Sequence, residues 1–465
     1  MNPDPSDTIV AISTPPGRGG IGVVRLSGPR AAAIARRIFQ PRDGAAAGRP
    51  APAEPASAPP GLDFGRFTDA DGAAIDHGYL VIFEAPRGFT GEETAELWSH
   101  GSPAVGRALV ETAVGLGARP ATPGEFALRA FLNGRIDATR AEAIRDLIEA
   151  RTAWQAQAAF EQVRGRIAAE VDRLKDRLAG SAARLEAAIE FPDEGEAPLF
   201  LPEEGIAVDL RAIRASIEAL ASTWARGRIV REGLRVVIVG APNAGKSSLF
   251  NRLLEESRAI VTPIPGTTRD LLEETVEIDG VPVVLIDTAG LHAPADEAEA
   301  EAVRRARDAM ERADLWLVVL DRSRALHDEE RRLLRDAAER AAIVVLNKSD
   351  LPRGLTGAAV RPAIEVSAKT GDGFELLRRR LHAAIGPAGR GEKEGTFVTN
   401  VRHRDLLLKA AAAIRRAEGA AGDRMPPECL ALDLRDALDR LGEITGAVGV
   451  EGIYERIFRD FCIGK

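Results

Sequence analysis

The strongest constraint on the fold lies in the middle of the chain, where four short apolar runs alternate with segments of helical spacing. The runs cover residues 236–239, 283–286, 315–320 and 343–346. Each run is continuous, as expected for a strand that is buried on both faces of a sheet. Because strands that alternate with helices form parallel, doubly wound sheets, we predict an α/β domain here.

The first run leads directly into a phosphate-binding motif at residues 240–247, a glycine and four residues followed by Gly-Lys-Ser. Glycines let backbone N–H groups converge on phosphates at a helix N-terminus. The lysine reaches the terminal phosphates, and the serine hydroxyl can bind Mg²⁺. The predicted nucleotide contacts are Asn243, Ala244, Gly245, Lys246, Ser247 and Ser248, with Lys246 also catalytic and Ser247 a magnesium ligand.

Four further motifs follow in the order that a GTPase requires, at residues 266–268, 287–290, 347–350 and 367–369. The first offers a threonine to Mg²⁺, and the second an aspartate that can hold the metal through water. Asp350 can accept two hydrogen bonds from guanine that adenine cannot donate. The predicted contacts are Thr267, Thr268, Asp287, Thr288, Ala289, Gly290, Asn347, Lys348, Asp350, Ser367 and Ala368, with Thr268 on magnesium. A decayed, non-hydrolysing copy is the alternative.

The residue after the 287–290 motif is Leu291, where many regulatory GTPases place a glutamine that orients the attacking water. An aliphatic side chain cannot do this. A carboxylate of residues 292–301 could act instead, although a solvated acidic loop would have the same composition. Asn243 could bind a monovalent cation between the phosphates.

The flanking regions have different patterns. Residues up to about 133 indicate a small α+β domain, with a surface loop rich in Ala, Pro and Gly at 44–61. Helical spacing dominates residues 136–189, 209–231 and 402–461. The simplest architecture inserts the α/β domain into one discontinuous helical domain, and two independent helical domains are the alternative.

Composition narrows the class of protein. The formal net charge is −8, so any contact with nucleic acid must be local or shared with a partner. Two cysteines cannot build a disulfide framework, which fits a reducing cytosol. The apolar runs are far shorter than the roughly 20 residues that span a bilayer. We therefore expect a cytoplasmic protein without a membrane segment.

Several motifs outside the α/β region point to one family. They lie at residues 14–20, 89–92, 123–126, 129–133, 191–194 and 461–465. With these motifs and the nucleotide set, the chain resembles the MnmE (TrmE) family of tRNA modification GTPases along essentially its whole length. The resemblance implies an N-terminal folate-binding and dimerisation domain at 1–133, a helical domain at 134–231 and 388–465, and a GTPase domain at 232–387.

The resemblance also implies an activity. Family members are cytoplasmic homodimers that work with the flavoprotein MnmG (GidA), in a heterotetramer, on tRNA. Together they add an aminomethyl or carboxymethylaminomethyl group to carbon 5 of the wobble uridine. A tetrahydrofolate derivative, methylene or formyl, supplies the one-carbon unit, and FAD enters only through MnmG.

Site residues are implied in the same way. Potassium replaces an arginine finger and would be held by Asn243, Thr262, Ile264 and Thr267, while Glu299 orients water. The folate residues match Arg25, Glu96, Arg135 and Lys465. A carboxylate can accept the adjacent N–H groups of a pterin, and cations can pair with its glutamyl tail. Taken singly, each of these residues could equally be a surface charge, and the role of Cys462 stays open.

Two rival functions remain at this stage. A regulatory GTPase of ribosome assembly would share the nucleotide motifs but would not account for Arg25, Glu96 or the tail at 461–465. A folate-dependent transferase with a vestigial nucleotide site is disfavoured by the intact motifs. Residues 402–404 could contact tRNA, although such a cluster is usually a solvated helix face.

Overall fold

The computed structural model describes most of the chain. The described residues are 4, 6–42, 61–190, 206–256, 258–259, 272–287, 304, 307–355, 362–384, 396–423, 425–447, 457, 461 and 464. The following predicted residues lie outside them: Thr262, Ile264, Thr267, Thr268, Thr288, Ala289, Gly290, Leu291, Glu299, Cys462 and Lys465. The motif at 191–194, the acidic segment at 292–301 and residues 44–60 of the predicted loop at 44–61 also lie outside them.

One compact unit comprises Met1–Arg145 and Leu441–Lys465. Its strands are β1 Ile9–Ile12, β2 Gly19–Ser27, β3 Phe39–Pro41, β4 Leu62–Thr68, β5 Ala74–Phe83, β6 Thr94–Gly101 and β7 Arg119–Pro120. Its helices include α1 Ala31–Ile38, α2 Pro103–Gly115 and α3 Glu125–Leu132. Within the described ranges the strands form a seven-stranded sheet in the order β3-β4-β5-β6-β2-β1-β7. The α+β prediction for this region is confirmed.

The two faces of this sheet are covered differently. Residues two apart on a strand share a face. Val24 and Leu26 of β2 and Leu97 of β6 are buried in a core that includes residues of α1 and α2. On the other face, Phe126 of α3 packs with Ile9 of β1. The intervening residues of β2 and β6, which include the predicted folate residues, therefore lie on the face that carries α3.

The second compact unit is Asp146–Arg440. Its first helices are α5 Ala153–Val163, α6 Arg166–Glu190, α7 Ile206–Ser222 and α8 Trp224–Glu232, while α4 Ala138–Glu149 crosses the boundary between the units. The helical prediction for 136–189 is confirmed, but the stretch is divided into three helices. Thr152 starts α5 with a capping box that involves Gln155, and Gly165, with φ 86°, separates α5 from α6.

The α/β part of this unit has strands β8 Leu234–Val239, β9 Arg258–Ala259, β10 Leu272–Ile278, β11 Val281–Asp287, β12 Leu315–Asp321, β13 Ala342–Asn347 and β14 Ala363–Glu365. Its helices include α9 Lys246–Glu256, α10 Asp328–Ala338 and α11 Phe374–Ala384. In the part of the chain that is described, the sheet order is β14-β13-β12-β8-β11-β10-β9. The four predicted runs are β8, β11, β12 and β13, and their pairings are parallel.

One expectation about this sheet is corrected, since it is not wholly parallel. The strand β10 pairs antiparallel with β11. The two strands are joined by Asp279 and Gly280, whose φ values of 50° and 87° suit a tight hairpin turn. A two-residue connection leaves no room for a crossover helix, so this edge of the sheet is antiparallel.

The chain returns to helices after the sheet, with α12 Val401–Gly422 and α13 Pro427–Thr445. The predicted stretch at 402–461 is thus broken at Pro426 and Pro427, and the described helix ends at Thr445. Helix α12 packs along α7, and Arg214 of α7 pairs with Glu418 of α12 at 2.9 Å. Helices from both sides of the α/β sheet therefore form one body, which confirms the insertion. Across the described ranges, each helix is either too short or too polar to span a lipid bilayer.

Candidate functional site

The phosphate loop lies between β8 and α9. Lys246 Nζ donates hydrogen bonds to the carbonyl oxygens of Gly240 at 2.9 Å and Ala241 at 3.0 Å. Burial lowers the pKa of the Lys246 ammonium, and the charge of Asp287 acts in the opposite direction. The structure thus holds a buried cation against the loop where phosphates are expected to bind. Of the other predicted loop residues, Ala244 is buried, whereas Asn243 and Ser248 are exposed.

Asn347 braces this loop from the neighbouring base-recognition motif. Its Nδ2 donates to the Ala244 carbonyl at 3.0 Å, and its Oδ1 accepts from the Ala368 amide at 3.0 Å. Gly245 has φ 95°, and a Cβ there would lie 2.1 Å from Asn347 Nδ2. The side chain of Asn347 therefore joins three of the predicted motifs, which the sequence did not indicate.

Gly245→Ala is expected to lower the affinity for GDP by at least about tenfold. The added methyl group would displace the Asn347 amide, and alanine is strained at this φ. The affinity can be measured with a fluorescent GDP analogue. Gly180→Ala is the matched control, because that helical glycine has nothing within 4 Å of an added Cβ. Equal GDP affinity in Gly245→Ala and wild type would contradict the bracing role.

Two side-chain oxygen atoms that suit a metal ion lie together where β11 ends and α9 begins. Ser247 Oγ donates to Asp287 Oδ2 at 2.8 Å, and Asp287 is fully buried at the end of β11. Hydroxyl and carboxylate oxygens are the ligands that Mg²⁺ prefers. The residues present therefore fit Mg²⁺, which Ser247 would bind directly and Asp287 through water.

The loop that is predicted to recognise the base follows β13. Ser367 Oγ donates to Asp350 Oδ1 at 2.7 Å, and this bond is the main reason that the pKa of Asp350 lies below its usual value. The Ser349 amide donates to the Val366 carbonyl at 3.0 Å and fixes the loop against the next motif. The exposed carboxylate of Asp350 is thus ionised and oriented, with its second oxygen available to a base.

The predicted folate residues Arg25 and Glu96 form an ion pair between neighbouring strands. They are direct partners in the register of β2 and β6, and Arg25 Nε donates to Glu96 Oε1 at 2.9 Å. Trp98 Nε1 donates to Glu96 Oε2 at 2.9 Å. The Arg25 guanidinium lies 5.9 Å from the centroid of the Phe126 ring on α3. The structure therefore brings together two of the four predicted residues.

The other two predicted folate residues are Arg135 and Lys465. A Cβ at Gly91 would lie 3.0 Å from Arg135 Cγ, so the stem of Arg135 packs on the motif at residues 89–92. Lys465 lies outside the described residues, but the Gly464 carbonyl accepts a hydrogen bond from Ser13 Oγ at 3.0 Å. Gly464 therefore lies beside the end of β1, on the same sheet as Arg25.

A buried ionic network beside this pair was not predicted as part of a site. Arg129 of α3 is only 2% exposed and pairs with Glu92 at 3.2 Å and with Glu125 at 3.2 Å. Glu125 also accepts from Arg119 NH2 at 2.7 Å. The network holds α3 against the 89–92 motif, so it helps to fix the surface that carries Arg25. Glu92, Glu125 and Arg129 fall in the family motifs, whereas Arg119 does not, and the spacing of the motifs did not reveal the pairing.

This network makes the N-terminal unit sensitive to acid. Burial alone would raise the pKa of Glu125, but hydrogen bonds from Arg119 and the Thr122 amide outweigh it and lower the pKa to about 2. The unfolded value is about 4.5, so Glu125 stabilises the fold by roughly 3 kcal/mol above pH 4.5, and this is lost as the pH falls towards 2. We expect Glu125→Gln to speed amide exchange of α3 at pH 7. The difference from wild type should shrink below pH 4.5, and a constant difference would contradict the assignment.

The fold and the nucleotide site define a class of protein, the P-loop GTPases. The buried lysine, the Ser247–Asp287 pair and the Asp350 carboxylate are the kinds of group that this class uses. Two family models match the chain, "MnmE helical domain" over residues 139–462 and "GTP-binding protein TrmE N-terminus" over residues 8–135. The chain belongs to the MnmE family of tRNA modification GTPases.

Individual proteins match as follows. The chain is 43% identical to the tRNA modification GTPase MnmE of Koribacter versatilis over 100% of both chains. It is 42% identical to the MnmE of a Roseiflexus species over 99% of both chains. Among solved structures, Aquifex aeolicus Era bound to GDP and AlF4⁻ is 23% identical over 40% of this chain and 66% of that chain, with a TM-score of 0.26.

Proposed function

We propose that this GTPase works with the flavoprotein MnmG to add an aminomethyl or carboxymethylaminomethyl group to carbon 5 of the wobble uridine of certain tRNAs. A tetrahydrofolate derivative, methylene or formyl, would supply the one-carbon unit. The observation that carries the proposal is the Arg25–Glu96 pair on a sheet that also receives the C-terminal tail at Gly464. A GTPase without modification chemistry would have no use for this second site.

The residues of the N-terminal unit fit a pterin. A carboxylate has about four acceptor positions, and Arg25 and Trp98 occupy three of those of Glu96. One acceptor position of Oε2 remains for one N–H group of a pterin. The cations Arg135 and Lys465 would pair with the glutamyl carboxylates. When bound, the folate would carry the one-carbon unit, and these residues would orient it.

The face that carries Arg25 and Glu96 also supports the proposed homodimer. In the register of the sheet, Phe64, Tyr79 and Trp98 lie side by side on β4, β5 and β6. Phe64 and Tyr79 are 38% and 42% exposed, and Leu62 on the same face is 56% exposed. Aromatic side chains exposed together are typical of a surface that another protein covers. A second copy of the chain would cover them, and MnmG would complete a heterotetramer that binds tRNA and brings FAD.

For hydrolysis we propose assistance by potassium. Asn243 is exposed in the phosphate loop with φ 62°. Its side-chain oxygen would bind the cation beside the phosphates. Thr262, Ile264 and Thr267 would complete the potassium site, Thr268 would join Ser247 on magnesium, and Glu299 would orient the attacking water. Glu299→Ala should then bind GTP but leave tRNA unmodified.

GTP turnover should therefore be at least about tenfold faster in potassium than in sodium at equal ionic strength. Potassium is larger than sodium and fits a site of several oxygen ligands. Its charge would take the place of an arginine finger. The measurement is the steady-state release of phosphate. Asn243→Ala should reduce the difference between the two salts. Equal turnover of the wild type in both salts would remove this part of the proposal.

The decisive experiment reconstitutes the reaction from the full chain, MnmG, folate, GTP and tRNA. Glu96→Gln should lose tetrahydrofolate binding and wobble-uridine modification, measured by mass spectrometry of tRNA, while GTP turnover persists. Glu111→Gln is the control, because Glu111 is exposed on α2. Normal modification by Glu96→Gln would overturn the folate assignment. A wild-type chain that binds no folate would favour the regulatory alternative.

A further inference from the structure

Residues 321–323 support the base-recognition loop, although no motif of the sequence analysis includes them. Asp321 ends β12 and is the register partner of Asn347, which ends β13. The Arg322 amide donates to the Asn347 carbonyl at 3.0 Å, and Arg322 NH1 donates to the Ser349 carbonyl at 2.7 Å. The backbone on both sides of Lys348 is therefore held by one neighbouring residue.

Lys348 itself is held by Asp321. Its Nζ donates to Asp321 Oδ2 at 2.6 Å, and Asp321 is only 6% exposed. Ser323 donates to the other oxygen, Oδ1, from Oγ at 2.6 Å and from its amide at 2.8 Å. Burial alone would raise the pKa of Asp321, but the hydrogen bonds from Lys348 and Ser323 outweigh it and lower the pKa. The carboxylate is thus charged and fully oriented.

The backbone of Lys348 shows why such an anchor is needed. Its φ is 64°, in the left-handed region. This conformation is unfavourable for a lysine and persists only where the surrounding structure holds it. This turn directs the chain from Asn347, which braces the phosphate loop, to Asp350, which is predicted to accept hydrogen bonds from the base. If this loop were not held, it would have to become ordered when the nucleotide binds. The free-energy cost of that ordering would lower the affinity for the nucleotide.

We propose that Asp321 is a positioning residue of the guanine site, which anchors the ammonium of Lys348 and thereby places the carboxylate of Asp350. It does not touch the base. Because it acts through Lys348, its loss should matter only while Lys348 is present. Because it places Asp350, its loss should weaken discrimination at the exocyclic amine of guanine more than general phosphate binding.

The test is a double-mutant cycle in the full chain with Asp321→Asn and Lys348→Met. GDP affinity, measured with a fluorescent analogue, should fall about tenfold in Asp321→Asn. In the Lys348→Met background, Asp321→Asn should change the affinity by less than about twofold. An equal loss in both backgrounds, or no loss in the single variant, would overturn the proposal. Asp336→Asn, at an exposed position of α10, is the matched control.

A second measurement separates positioning from a general effect on folding. The ratio of GDP affinity to inosine diphosphate affinity should fall at least threefold in Asp321→Asn, because inosine lacks the exocyclic amine. A purely structural role would lower both affinities equally, and an unchanged ratio would therefore refute the proposal.

If Asp321→Asn does not fold, Ser323→Ala gives the same test, since it removes one donor to Asp321 and leaves the charge in place. It should lower the same ratio in a folded chain, and an unchanged ratio there would refute the proposal.

Discussion

Lys246→Ala is expected to reduce GTP turnover by about 10³-fold. The ammonium is the buried cation of the phosphate loop, 7% exposed, and its two loop contacts are backbone carbonyls that cannot neutralise negative charge. Charge that develops on the terminal phosphate during hydrolysis would then lack the stabilising charge of this ammonium. The measurement is single-turnover hydrolysis at saturating GTP, which separates the chemical step from weaker binding.

Lys409→Ala is a suitable control, because Lys409 is an exposed lysine of α12 in the helical part of the same unit. Its turnover should equal that of the wild type. A Lys246→Ala chain that hydrolyses GTP within tenfold of the wild-type rate would show that Lys246 does not stabilise the transition state.

Asp350→Asn is expected to weaken GTP binding by about 10³-fold and to create a preference for xanthosine triphosphate. The carboxylate accepts from two donors of guanine, whereas an amide presents an N–H group to the exocyclic amine. Xanthine has a carbonyl at that position, which accepts from the amide. The hydrogen bond from Ser367 Oγ should persist, since an amide oxygen also accepts.

The preference is measured by competition of the two triphosphates for a fluorescent analogue. Asp308→Asn, at an exposed position outside the nucleotide motifs, should leave GTP binding unchanged. If Asp350→Asn kept its preference for GTP, Asp350 could not be the residue that recognises the base.

The strands of the α/β sheet were predictable where burial on both faces leaves a continuous apolar run. Val236, Leu317 and Val345 lie in such runs, and all three are fully buried. The strand β10 was not predicted, because Glu273, Glu274 and Glu277 interrupt its apolar residues. It lies near the edge of the sheet, where one side of a strand can remain polar, and only its pairing with β11 identifies it.

The helices were likewise predictable from the sequence, but the turns between them were not. Periodicity indicated helix throughout residues 136–189, but it did not show where the chain turns between helices. Those turns depend on a capping box at Thr152 and on the left-handed φ of Gly165. Capping residues also occur inside helices, so their role is settled only when the chain reverses and packs against itself.

The amino-acid sequence was enough to predict the chemistry of the nucleotide site, because phosphate and guanine require particular groups within a few residues of one another. It determined neither Asp321 beneath Lys348, 27 positions away, nor Ser13 on the Gly464 carbonyl, 451 positions away. Those contacts join residues that are neighbours only after the strands have paired and the tail has returned to the first sheet. Periodicity and local spacing carry no information about such pairs, since their free energy comes from burial and hydrogen bonds formed in the folded chain.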